Sequence, residues 1–152
     1  LLIATNTMHK VAPAIEQAIT IPLLHIADAT ALQLQADGIN RVGLLGTRFT
    51  MEQNFYIGRL EEQFGIKVVV PEQSERDTIH QVIFDELCQG RIEEVSRQRY
   101  LAIIDSLYAQ GAQAVILGCT EIAMLVSQQD TAVPLYDTTA LHVQRAVAWA
   151  LT

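Results

Sequence analysis

The chain has 152 residues, enough for one domain with a sizeable core, and half of them are hydrophobic against 18% charged, which excludes a disordered chain. The formal net charge is −7 and the ten Lys and Arg are scattered singly, an arrangement that argues against nucleic acid or an anionic membrane as a partner. No apolar run approaches the roughly 20 residues of a membrane span, and the two cysteines, Cys88 and Cys119, fit a reduced cytoplasmic protein better than a disulfide framework.

Leu1-Leu2-Ile3-Ala4 reads as a buried strand. Such a strand needs neighbours on its edges and faces, so sequence preceding it is expected. Thr5-Asn6-Thr7 leads into a helical pattern over 8–19, followed by a short strand at 23–26 and a helix over 27–37. Next come a strand at 41–46, the turn Gly46-Thr47-Arg48-Phe49-Thr50 and a helix over 50–64. A strand at 67–70 precedes helices at 75–89 and 92–110; in the latter, Ile92, Val95, Tyr100, Ile103, Ile104 and Leu107 recur near helical spacing. The chain then runs through a strand at 114–117, a helix at 120–126, a strand at 133–135 and a helix at 139–151. Gly38, Gly65, Gly90 and Gly111 each fall just past a helical stretch, where a left-handed closing residue is wanted. Strands alternating with helices predict an α/β fold whose parallel sheet is covered on both faces.

Two segments echo one another. Leu1 to Thr7 and Val115-Ile116-Leu117-Gly118-Cys119-Thr120-Glu121 both run from a strand through small polar residues into a helix. Ligands in open α/β sheets bind at the carboxyl ends of strands, so two such ends would make a cleft.

Cys119 is the most informative residue. A thiol at a helix start has its pKa lowered toward the neutral range, though a free Cys is also often a small buried hydrophobe. Cys88, late in a helix where the dipole opposes a thiolate, reads as a packing residue. Thr5, Asn6 and Thr7 could bind a carboxylate or only cap a helix. His9, one turn on, could polarise the site or bond to backbone, whereas His25, His80 and His142 read as isolated structural residues. Thr47 and Thr50 belong to a segment with the shape of a third anion-binding turn, by itself a weak signal, and Asp137 could cap the last helix or orient a catalytic group. No phosphate loop, dinucleotide fingerprint, metal-ligand spacing or serine elbow occurs. Lys10 and Lys67 are the only lysines, and neither ends a strand, where a pyridoxal Schiff base is expected.

Taken in order, Thr5-Asn6-Thr7-Met8-His9, Gly46-Thr47-Arg48-Phe49-Thr50, Gly118-Cys119-Thr120-Glu121 and Val133-Pro134-Leu135-Tyr136-Asp137 resemble the cofactor-independent aspartate/glutamate racemase family over essentially the whole chain. The resemblance implies two pseudo-symmetric, flavodoxin-like α/β lobes with parallel sheets, the active site between them, and a first lobe incomplete here. By that likeness 1–20 and 131–152 belong to the first lobe and 21–130 form the second. It further implies racemisation of aspartate or glutamate at Cα without pyridoxal or metal, with one thiol on each side of the α-carbon. Cys119 takes the second-lobe position; the first-lobe position is held by Thr5, a far weaker base. Asn6, Thr7, Thr47, Thr50 and Thr120 match substrate-holding positions, with His9, Glu121 and Asp137 as candidate supports behind them. The expected partner is a small amino acid, with a homodimer left open. Another cysteine-based enzyme of the superfamily (hydantoin racemase-like or arylmalonate decarboxylase-like) and a non-catalytic small-ligand-binding domain are the rival readings.

Overall fold

The computed structural model describes residues 1–151. Four parallel strands, β1 (Arg41–Gly46), β2 (Lys67–Val69), β3 (Ala114–Gly118) and β4 (Leu135–Asp137), form one sheet in the order β2-β1-β3-β4. The α/β expectation therefore holds. Val42 to Gly46 and Ala114 to Gly118 are buried at every position, so neither face of the two central strands meets water.

The helices that cover them are α1 (Ala12–Ala18, entered through a 3₁₀ turn at Thr7–Val11), α2 (Ile26–Ala36), α3 (Arg48–Glu52), α4 (Asn54–Gly58), α5 (Gln73–Asp85), α6 (Glu94–Ala109), α7 (Ile122–Leu125) and α8 (Thr138–Ala150). α5 and α6 pack on each other and on β1, while α2 packs along α8, which also reaches β3 and β4. Leu44, Leu45, Val115, Ile116 and Leu117 join Ile79, Ile83, Ile104 and Leu107 in one continuous core. Gly38, Gly65, Gly90 and Gly111 all take positive φ, as expected of helix-closing residues.

Two expected strands are absent. Residues 1–3 and 22–25 lie side by side outside any helix or strand and share a single amide-to-carbonyl bond, Leu24 N–H to the Leu1 carbonyl at 3.0 Å, with the terminal amino group donating to the Pro22 carbonyl at 2.7 Å. One bond does not make a ladder, and an apolar run without a paired neighbour has no reason to become a strand. The helix expected at 50–64 is three pieces: α3, α4 and a π-helical turn at Arg59–Gln63, with Gln53 extended between the first two. The helix expected at 75–89 stops at Asp85 and resumes as a 3₁₀ turn, Leu87–Gln89. The strand expected at 133–135 lies at 135–137, the edge of the same sheet that carries β1 and β3.

Candidate active site

Neighbouring strands β1 and β3 end level with each other, because Gly46 is in direct register with Gly118. A Cβ on Gly118 would lie 2.7 Å from the Leu45 carbonyl, so only glycine permits this close approach. Immediately beyond the two glycines the chain delivers Thr47 from one strand and Cys119 from the other, at the carboxyl edge where parallel sheets bind ligands.

A cavity of about 340 Å³ opens there, lined by Thr5, Asn6, Thr7, Thr47, Cys119, Thr120 and Glu121 among others. Residues far apart in sequence thus converge on one space. The threonines are linked: Thr7 Oγ1 lies 3.0 Å from Thr47 Oγ1, which lies 3.3 Å from Thr50 Oγ1. Thr50 is fully buried behind Thr47 and reaches the cavity only through it. Asp137 is placed differently again, capping α8 by accepting from the amides of Thr139 and Ala140.

The electrostatics of Cys119 differ from the expected helix-start thiol. Burial, reinforced by the hydrogen bond its Sγ donates to Glu121 Oε2 at 2.9 Å, pushes the thiol up to about 12. α7 has only four residues and begins three positions later, too short and too far to oppose desolvation. Burial alone would raise the Glu121 carboxyl, but hydrogen bonds from Cys119, Thr120 and its own amide outweigh it and hold the group below its ordinary value. At neutral pH the pair is therefore a thiol facing a carboxylate.

His9 stands behind the Thr5 turn, nearly sealed from solvent, with Nδ1 2.8 Å from the Thr5 carbonyl and Nε2 accepting from the Ile26 amide at 3.2 Å. An Nε2 that accepts is unprotonated, so Nδ1 carries the hydrogen and donates to Thr5. His25 and His142 have the structural contacts expected of them, on the Ala27 amide and the Leu24 carbonyl, but they are not isolated. Their rings lie 4.4 Å and 5.9 Å from that of His9. Burial, then the nearby Arg59 guanidinium, pushes His25 down to about 3, and burial likewise lowers His9.

Several residues of the site were not singled out from sequence. Phe49, Ile83 and Phe84 supply apolar wall, and Lys10 Nζ lies 5.8 Å from the Phe49 ring centre. Cys88, expected to pack inside a helix, is exposed on the 3₁₀ turn and lines the same cavity as Cys119. Thr138 is buried behind Asn6, which donates to it at 3.0 Å.

A model of the Asp/Glu/hydantoin racemase family matches residues 1–146. The chain belongs to that family. It is 54% identical to a Yersinia pestis protein of the Asp/Glu racemase group, with a TM-score of 0.95, and 32% identical to an aspartate racemase homologue from Pyrococcus horikoshii, with a TM-score of 0.88. Either likeness covers 99% of this chain and 66% of the other. A glutamate racemase from Francisella tularensis in complex with D-glutamate shares the fold, with a TM-score of 0.74 at 20% identity over 99% of this chain and 56% of that one. Among the described residues no helix is long and apolar enough to cross a membrane, and no three His, Cys, Asp or Glu are grouped to hold a metal ion.

Proposed function

We propose that this chain forms most of an amino-acid racemase acting on aspartate or glutamate without pyridoxal or metal, with Cys119 as the base on one face of Cα and Thr5 on the other. The observation that carries the reading is the convergence of Thr5-Asn6-Thr7 and Cys119-Thr120-Glu121 on one cavity. Family membership and the 32% likeness to an aspartate racemase homologue support the substrate class.

The chemistry follows from the groups present. The hydroxyls of Thr7, Thr47 and Thr120, with the Asn6 amide, hold the polar ends of the amino acid. Glu121 takes the Cys119 proton; the thiolate takes the α-proton, and the carbanion's charge is spread toward the hydroxyls around the α-carboxylate. Proton return from the opposite face falls to Thr5, whose hydroxyl needs a water or neighbouring group to exchange its proton. Residues 1–20 are proposed to belong to a first lobe and 21–130 to a second, which β4 joins because it pairs with β3 in the same sheet.

The test is NMR of aspartate and glutamate in D₂O with the full-length protein. Deuterium appearing at Cα is expected; binding of either amino acid without exchange would replace the enzyme with a ligand-binding domain.

A further inference from the structure

His9 is 1% exposed and stands behind the turn that brings Thr5 to the cavity, without being part of the cavity wall itself. Both ring nitrogens are engaged on backbone: Nδ1–H donates to the Thr5 carbonyl at 2.8 Å, and Nε2 accepts from the Ile26 amide at 3.2 Å. Ile26 opens α2, so the ring takes up one of the amides that a helix start leaves without a partner. A half-turn of the ring would set carbon against both partners, and the rings of His25 and His142 wall it in. One orientation and one tautomer therefore serve two bonds. Residues 1–6 belong to no helix or strand, and the Thr5 amide reaches only the Ile3 carbonyl, at 2.9 Å. The Thr5 backbone is thus tied to a packed helix through the imidazole of His9.

We propose that His9 is a positioning residue for Thr5, holding its backbone against the start of α2 so that the hydroxyl keeps its place in the cavity it shares with Cys119. The role given to Thr5 rests on the racemase reading; the two bonds of His9 do not. Proton transfer needs donor and acceptor within hydrogen-bond reach, and a misplacement of about 1 Å can cost about 10²-fold in rate. A hydroxyl carried on an irregular segment gains most from such a tie. His9 has two separable duties, as a donor to Thr5 and as an acceptor for α2, and only the first bears on the reaction.

The experiment uses the full-length protein and its His9→Asn and His9→Gln variants. Asparagine places its amide where Nδ1 stands and can still donate to Thr5; glutamine places its amide oxygen where Nε2 stands and can still accept from Ile26. Two rates are measured in D₂O for each enantiomer: deuterium entry at Cα by NMR, and inversion by circular dichroism. His9→Gln is expected to slow inversion roughly tenfold, the worth of one hydrogen bond, while deuterium entry into the faster-exchanging enantiomer changes by less than about threefold. His9→Asn is expected to melt at a lower temperature than His9→Gln, yet to keep the faster inversion. Equal inversion in the two variants, slower inversion in His9→Asn, or a parallel loss of inversion and deuterium entry in His9→Gln would overturn the proposal. A second readout needs no substrate. The Thr5 carbonyl ¹³C signal is expected to move in His9→Gln and hold in His9→Asn, and a signal unmoved in His9→Gln would overturn it. If wild type exchanges no α-proton, the racemase reading fails while the carbonyl signal still decides His9.

Discussion

Cys119 and Glu121 form a thiol–carboxylate pair, Sγ donating to Oε2 at 2.9 Å, with the Thr120 hydroxyl donating to the same oxygen at 2.7 Å. The carboxylate thus has two opposing effects on the thiol. It raises the thiol's pKa at rest, and it is the nearest group able to receive the proton when the thiol is to act.

Glu121→Gln separates those effects. The thiol loses the neighbouring negative charge, while the glutamine carbonyl can still accept its hydrogen, so its pKa falls and burial keeps it above the ordinary value. Alkylation of Cys119 by iodoacetamide at pH 8, in a Cys88→Ala background, is expected to accelerate. Exchange at Cα is expected to fall by roughly 10²-fold for want of the base. Slower alkylation would show that the pairing has been misassigned.

On the proposed reading, with Cys119 on one face of Cα and Thr5 on the other, the two faces are unequal, because a hydroxyl is a far weaker base than a thiol. One enantiomer should turn over much faster than the other, visible in KM and in initial rates and not in the end point, which thermodynamics fixes. Thr5→Cys should raise the rate with the poorer substrate, and Cys119→Ala should abolish exchange from both. Circular dichroism of each enantiomer measures this, and equal initial rates in wild type would contradict it.

His9 and His25 are held neutral, their pKa values below the ordinary 6.5 in the fold. The unfolded chain binds more protons, so their stabilising contribution is complete above about pH 6.5 and is lost as pH falls toward the folded values. Around them stand His142, the Arg59 guanidinium and Asp28, which is paired with Arg59 at 2.8 Å. Urea unfolding should show lower stability at pH 5 than at pH 7.5, by about 1–2 kcal/mol from His25, with His9 acting in the same direction. His25→Asn, which keeps a capping acceptor, should shrink the difference; an unchanged difference would show that these rings do not set the acid limit.

Cys88 is exposed and lines the cavity, whereas Cys119 is partly buried with its pKa pushed up to about 12. Iodoacetamide near neutral pH should therefore modify Cys88 first and block the site by bulk. Cys88→Ala should resist that inactivation and change stability by no more than about 0.5 kcal/mol. Mass mapping of the labelled peptides identifies the first thiol to react.

Sequence periodicity located the central strands and long helices because they bury continuous apolar faces, as Val115 to Leu117 and the Tyr100–Leu107 stretch do. It overstated Leu1 to Ala4, where hydrophobicity was present but a strand partner was not. Thr5, Thr47, Cys119 and Glu121 were legible because each follows a strand end or a recognisable small-residue turn. Cys88, Phe84 and Thr138 were not, since their roles arise from the breaking of a helix at Asp85 and from a contact between the two ends of the chain. The unlowered thiol was equally hidden: proximity to a helix start can be read from sequence, whereas burial cannot.

The level pairing of Gly46 with Gly118 makes the sheet itself the ruler of the site. Thr47 and Cys119 leave adjacent strands at the same height, so their separation is metered by the inter-strand spacing of about 4.8 Å and not by the conformation of a loop. Thermal motion that swings a loop by several ångströms would leave this spacing almost untouched, because altering it means breaking the β1–β3 ladder. Any adjustment of the cavity therefore falls to lining residues outside the ladder, such as Phe84 and Cys88, while the backbone spacing between Thr47 and Cys119 stays nearly constant.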